Sequence, residues 1–292
     1  QTCALPISLP SSRLVEGDVV RLPPTRLAEP KKLDRVISEA QAKTLATDIP
    51  ILFEDEYLLV IDKPSGLAVH GGSGVQLGAI ELFRKARPEN AFLELVHRLD
   101  RDTSGILIMA KKRSALLEMH RQIREGLTDK RYRLIAHGAM DAITGTKQLK
   151  FPLLKYVLEN GERRVRVDPK GQPSHTNIRV TEIVQHDSAC FTLVEAQLKT
   201  GRTHQIRVHL ESLGNPLLGD PVYKKRLPVD AHQLEFTRPG QALHAAVLGI
   251  KHPKTGESMI WTAHLPKDME DLGLALGFAK DQLWPDWDAL DV

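Results

Sequence analysis

Cysteine is scarce in this chain of 292 residues, with only Cys3 and Cys190 present. Two thiols so far apart suggest neither a disulfide framework nor a zinc ribbon, and a reducing cytosol is the expected home. Long apolar runs are also missing. Those present, such as residues 58–61, are only a few residues long and fall far short of the roughly 20 residues that cross a bilayer. No segment has the build of a signal peptide. Aromatic residues make up 5% of the chain, too few for a broad base-stacking surface. There is no internal repeat and no low-complexity segment.

What is present is globular in kind. Hydrophobic residues contribute 41% and charged residues 26%, and the length suits one large domain or two smaller ones. The net charge of +3 is unevenly spread. Residues 266–292 hold seven acids (Asp268, Glu270, Asp271, Asp281, Asp286, Asp288 and Asp291) against two lysines. The rest carries 38 Lys and Arg against 30 Asp and Glu, a net +8. Between His97 and Arg133 there are ten Lys and Arg and five acids. A basic body of this kind fits a polyanion partner, although charge alone favours a solvated basic face.

The chain opens on Gln1, and residues 1–10 have no periodicity, which reads as a processed, trimmed or foreign start. Residues 14–24 read as a turn, a short strand and a stop. Residues 25–47 read as a charged linker with at most one helical turn. The main domain is expected from Asp48 to residue 292. Residues 58–61 form a strand candidate ending at the turn signal Lys63-Pro64-Ser65-Gly66. His70-Gly71-Gly72-Ser73-Gly74 is a flexible loop without the Gly-Lys-Ser/Thr ending of a P-loop. Helices are expected over residues 75–85, from a cap at Ser114 to a stop at Gly126, and over 203–213. Alternating apolar residues mark strands at 132–136, 164–167, 176–184 and 191–198. Several strands with a few interspersed helices, not in strict alternation, predict an α+β fold with a mainly antiparallel sheet.

Two segments carry chemistry. The first is His97-Arg98-Leu99-Asp100-Arg101-Asp102-Thr103-Ser104-Gly105, a cation-rich turn leading into the apolar run Ile106-Leu107-Ile108-Met109-Ala110. Neighbouring cations favour an ionised carboxylate, which suits a nucleophile or general base better than a general acid. On this segment alone, an ordinary ion pair of Asp100 or Asp102 with Arg98 or Arg101 explains the pattern equally well. The second segment is Thr200-Gly201-Arg202-Thr203-His204-Gln205-Ile206-Arg207-Val208-His209. A helix start beside Arg202 is a ready anion site, and Arg207 has the fork to grip a carboxylate; two surface ion pairs are the plainer alternative. His204 and His209, five apart on a helix, do not share a face, so a zinc site is not expected. A lone Asp-Thr-Ser-Gly stretch lacks the second aspartate loop of an aspartic protease. Asp100 and Asp102 are too close in sequence to guarantee the carboxylate spacing of a glycosidase. Tyr132, at the start of a strand, suits core packing or base stacking.

Taken in order, the segments resemble the RluA/RluC-type family of pseudouridine synthases, most like the RluC-type enzymes of large-subunit (23S) ribosomal RNA. The resemblance covers residues 14–24 weakly and about 50–265 almost continuously. It runs through 62–72, 97–105, Lys130-Arg131-Tyr132, 161–167, 200–210, Gly219-Asp220 and Leu243-His244-Ala245. It implies a mixed, largely antiparallel sheet with a central catalytic cleft and flanking helices. Residues 14–24 would be the tail of a truncated S4-type RNA-binding domain. Asp100 would be the catalytic aspartate, Arg207 its partner, and Tyr132 the contact to the flipped uracil. Arg98 would enter the space vacated in the RNA, and Lys63, His97, Arg101, Arg202 and His204 would join it in binding RNA. The implied protein is a cytoplasmic monomer acting on ribosomal RNA, with no metal, organic cofactor or membrane partner. A non-catalytic RNA-binding or ribosome-assembly factor of the same fold is the rival reading. A glycosidase or nucleosidase is a weaker one.

Overall fold

The structure, a computed structural model, describes residues 38–71, 77–89, 92–140, 143–159, 161–224 and 240–284. All of them fall within one compact unit, Ile37–Val292. The expected S4-type tail at 14–24, the linker up to residue 37, Gly72-Ser73-Gly74 and the last three acids lie outside the described residues.

In chain order the first elements are α1 (Glu39–Thr47), β1 (Ile51–Glu54), β2 (Leu58–Lys63), α2 (Ala79–Ala86), β3 (Glu94–Leu95), β4 (Ser104–Ala110) and α3 (Arg113–Glu125). Next come β5 (Asp129–His137), β6 (Thr146–Leu149), β7 (Leu153–Val157), β8 (Arg163–Val167), β9 (Thr176–His186) and β10 (Ala189–Leu198). Last are α4 (Gln205–Ser212), β11 (Leu243–Lys251), β12 (Ser258–Thr262), α5 (Lys267–Leu276) and α6 (Lys280–Leu283). One large sheet has the order β1-β2-β4-β11-β5-β10-β9-β6, with β12 on β11 and β3 on β4. Strands β7 and β8 form a separate hairpin. Only β4 and β11 pair in parallel among the described strands. The expected α+β, largely antiparallel architecture is the observed one.

The apolar runs explain the centre of this sheet. Strands β2 and β4 are hydrophobic at nearly every position because both of their faces are covered. Leu59, Ile61, Leu107 and Met109 join Ile80 and Phe83 of α2 in one core. Leu58, Val60, Ile106 and Ile108 face the other way and pack on Ala115 and Met119 of α3. Each such side chain contributes roughly 1.5–3 kcal/mol on burial. Helix α3 ends where expected, with Gly126 in the left-handed conformation, but its N-cap is Lys112 and not Ser114. At the C-terminus, fully buried Arg133 on β5 donates to the carbonyls of Gln282 and Leu283, tying α6 to the sheet.

The linker reading fails at residues 39–47. A nine-residue helix forms there, and Ala42 and Ala46 enter the main core. Its start is a capping box: Ser38 Oγ accepts from Gln41 N–H at 3.1 Å, and Gln41 Oε1 accepts from Ser38 N–H at 2.8 Å. Small alanines supply the contact, so the segment shows no conspicuous apolar stripe. The helix expected over 75–85 is shorter than its apolar pattern implied, starting at Ala79.

Candidate active site

The site is built on three elements that meet at one cleft. The first is the loop between β3 and β4, carrying Asp100. Thr103 N–H donates to the Asp100 carbonyl at 3.1 Å, closing the turn. Thr103 Oγ1 accepts from Gln241 Nε2 at 3.0 Å, and Ser65 Oγ donates to the Asp102 carbonyl at 2.8 Å. The loop enters β4 at Ser104 and Gly105, and the φ of Gly105 is +108°. A Cβ there would lie 2.2 Å from the Ala245 carbonyl of β11, so both the backbone angle and the close approach demand glycine.

The second element is α4, which carries Arg207. This side chain is 6% exposed and reaches two carboxylates. Nη1 donates to Asp100 Oδ2 at 2.8 Å. Nε and Nη2 grip Asp220 Oδ2 and Oδ1 at 2.7 and 2.9 Å. Asp220 also accepts the N–H groups of Val222 and Tyr223 at 2.8 and 2.9 Å. Every partner in this buried network is satisfied, the condition under which a buried ion pair rigidifies a site. Burial works against the Arg207 cation, but the hydrogen bonds and charges of Asp220 and Asp100 outweigh it and raise its pKa.

Helix α4 begins at His204, which is left-handed with φ +53°. A non-glycine residue held there carries strain of the kind found at functional sites. The imidazole sits between Asp100 and Tyr223. Its Nδ1 is 2.8 Å from the Tyr223 hydroxyl, and its Nε2 is 3.8 Å from Asp100 Oδ1. The Tyr223 oxygen already accepts Val165 N–H at 3.1 Å. Its own hydrogen therefore goes to His204 Nδ1, which puts the ring N–H on Nε2, facing Asp100. Burial lowers the His204 pKa despite the nearby Asp100 charge, so the ring is neutral.

The third element is β5, which brings Tyr132 into the cleft, 7% exposed. Burial, then the charge of Asp100, raises its pKa, so the phenol keeps its proton. Asp100, Tyr132, His204 and Arg207 line a cavity of about 580 Å³, of a size suited to a small organic ligand.

Arg98 and Arg202 are exposed on this cleft, and Arg202 Nε donates to the Pro173 carbonyl at 3.2 Å. Gln205 Oε1 accepts the Arg202 N–H at 3.0 Å and the Thr200 hydroxyl at 2.8 Å. Arg101 is exposed and pairs with Asp102 at 2.9 Å, so Asp102 has the ordinary loop role. His97 lines the cleft, but its Nε2 accepts the Ile108 N–H at 3.2 Å. Burial, helped by the charge of Lys130, lowers its pKa to about 4, leaving it uncharged. Lys63 is a correction. It is fully buried, and its ammonium donates to the carbonyls of Pro64, Leu67 and Arg101 at 2.9, 2.8 and 3.0 Å. All three of its protons are used inside the fold, so it supports the Asp100 loop from below and cannot reach RNA. His204 and His209 diverge as expected: His209 Nε2 is directed at Ser174 Oγ, 2.9 Å away on the far side of α4. Sequence reasoning missed Asp220 and Tyr223 as members of the site. Gly219-Asp220 did stand in the resemblance, but nothing local tied it to Arg207.

The sequence model of the family described as RNA pseudouridylate synthase matches residues 57–212. The chain belongs to the RNA pseudouridylate synthase family. The family match contains Asp100, Tyr132 and Arg207, while Asp220 and Tyr223 lie just past its end. Among relatives, the chain is 47% identical over 268 residues to ribosomal large subunit pseudouridine synthase C of Yersinia pestis, covering 91% of this chain and 81% of that one. It is 46% identical over 255 residues to the protein of that name from Escherichia coli strain K12, covering 86% and 76%. The solved structure of human RNA pseudouridylate synthase domain containing 4 superposes with a TM-score of 0.65 at 26% identity, over 81% of this chain and 97% of that one. Human RNA pseudouridylate synthase domain containing 1, at 23% identity and a TM-score of 0.61 over 76% of this chain and 86% of that one, shares the pseudouridylate synthase fold.

Proposed function

We propose that this chain converts particular uridines of large-subunit ribosomal RNA into pseudouridine, with Asp100 as the catalytic residue. The observation that carries the reading is the contact of Arg207 with Asp100 at 2.8 Å, between residues 107 apart in sequence, beside Tyr132 in the same cleft. The relatives' names supply the substrate class, large-subunit ribosomal RNA.

The reaction breaks the N1–C1′ bond, turns the uracil and joins C5 to C1′. The C5 proton leaves and N1 gains one, so the product is an isomer. The target base must first leave the stack, which costs a few kcal/mol and is cheapest in loops and junctions. A carboxylate attacks the sugar at C1′ or removes a sugar proton. Either role needs a fixed carboxylate, and Arg207, itself locked by Asp220, supplies the orientation. Arg207 holds Oδ2, and Oδ1 faces His204. Tyr132 offers the base a ring face and a neutral hydroxyl. Arg98, exposed at the cleft, fills the space that the flipped base leaves. Arg101 and Arg202 serve as exposed cations for the backbone. The remaining parts of the reading are a catalytic unit that begins with α1 and not at Asp48, an S4-type tail before it, a cytoplasmic monomer, and no metal or cofactor.

The test is to map pseudouridine in large-subunit RNA incubated with the chain. Defined sites should convert with wild type, none with Asp100→Asn, and some with Asp102→Asn, all three proteins being folded. Unreacted RNA with wild type would favour the non-catalytic RNA-binding reading. Release of free uracil would favour a nucleosidase.

A further inference from the structure

One charge in the cleft is uncompensated by the protein. Lys130 is 9% exposed and lines the cavity. Among the described residues no carboxylate, carbonyl or hydroxyl takes its ammonium. The other buried cations are treated differently by the same fold. Lys63 has three carbonyls, Arg207 has two carboxylates, and Arg133 has the carbonyls at the end of α6. Burial lowers the Lys130 pKa, and no acid opposes the shift. An ammonium held largely out of water with no acid beside it is unfavourable, so a partner arriving from outside would stabilise it.

The position says what the partner is. Lys130 and Tyr132 are two apart on β5, so their side chains leave the same face about 6.6 Å apart along the strand. Tyr132 pairs with Ala245 of β11, which lies beside Gly105 at the Asp100 loop, whereas Lys130 pairs with Leu248, three residues further along β11. Lys130 therefore lies at the end of the cleft away from the catalytic carboxylate. Its neighbour there is the neutral His97. Exposed Arg124 and Lys199 stand among the lining residues, and Asp100 is the one acid lining the cleft among the described residues. An offset of this kind matches the step from a base to the phosphodiester beside it. A full negative charge also compensates a buried ammonium far better than a neutral uracil carbonyl.

We propose that Lys130 binds a phosphodiester of the substrate strand, adjacent to the nucleotide whose base enters at Tyr132. This rests on the reading of the cleft as the uridine-isomerising site.

The experiment measures binding of wild type, Lys130→Met and Lys130→Arg to a large-subunit RNA transcript across a range of salt. Lys130→Met should weaken binding about tenfold at moderate salt and reduce the log–log salt slope by about 0.7–0.9, the share of one phosphate contact. Lys130→Arg should keep the slope. Removing an uncompensated buried charge should leave the melting temperature of the free protein equal or higher. Unchanged affinity and slope in a folded Lys130→Met protein would overturn the proposal. So would a slower single-turnover rate with unchanged affinity, which would place Lys130 on the base. A second arm uses a short RNA around the mapped uridine with one methylphosphonate at the flanking linkages in turn. One neutral linkage should weaken wild type, and its failure to do so at every flanking position overturns the proposal even if Lys130→Met does not fold. Loss of the salt slope in Lys130→Met, when wild type forms no pseudouridine in any RNA, would sink the isomerase reading and leave the phosphate site standing.

Discussion

At the scale of single residues, the site depends on shape as much as charge. Arg207 serves two carboxylates at once, and only a planar guanidinium can grip one with a two-donor fork while a further N–H reaches the other. Arg207→Lys keeps the charge but can hold at most one carboxylate well. We expect its pseudouridine-forming rate to fall at least about a hundredfold, a loss near 3 kcal/mol, read in single-turnover assays at saturating RNA. A rate within a factor of three of wild type would show that the pairing is not needed. A different residue carries a pH effect on stability. Asp62 on β2 is largely buried, and burial raises its pKa to about 6 against the opposing charges of Lys63 and His264. The folded protein therefore holds this proton more tightly than the unfolded chain does. Its contribution to stability is present below the unfolded value of 3.8 and is lost as pH rises to about 6. Asp62→Asn should stabilise the protein by about 1–2 kcal/mol at pH 7.5, discounted for partial exposure, and by little at pH 4. Urea unfolding at both pH values checks it, and an equal difference at the two would refute the assignment.

At the scale of elements, the parallel pair β4–β11 is what holds the Asp100 loop against the sheet. Gly105→Ala forces a methyl into the Ala245 carbonyl and an unfavourable φ. We expect a loss of about 2–4 kcal/mol in chemical denaturation, with lower activity in the fraction that folds. A variant with wild-type stability would mean that the two strands separate easily. The apolar runs of β2 and β4 were legible because burial on both faces leaves few polar positions. Helix α3 was legible from its spacing and its glycine stop. Helix α1 was missed although Ser38 and Gln41 spell a capping box, because alanine contacts leave little hydrophobic signal. Helix α4 was legible, but its left-handed start at His204 was not. Tertiary contacts with Tyr223 and Asp100 hold that strained turn, and a local pattern does not report them.

At the scale of the whole molecule, charge and donor geometry make two further expectations. The body is basic apart from its acidic C-terminal segment, so affinity for large-subunit RNA should fall steeply with salt, with a slope set by the phosphates neutralised. Near-constant binding from low to moderate salt would reduce the basic face to a solvated surface. Among the described residues no group of three His, Cys, Asp or Glu converges as metal donors, and His204 and His209 point apart. Pseudouridine formation should therefore survive exhaustive chelation. Loss on chelation with recovery on one particular metal would overturn this. The order of short motifs along the chain was enough to indicate the fold class and the family, and it was the resemblance carried by that order, not the local pattern around each residue, that pointed to Asp100, Tyr132 and Arg207. Whether Asp100 or Asp102 meets Arg207, that Asp220 and Tyr223 complete the site, that Lys63 turns inward and that Lys130 is left uncompensated were decided by tertiary structure alone. These are relations between segments up to more than a hundred residues apart, and only the packing of β4, β5 and α4 around one cleft brings those segments within hydrogen-bond reach.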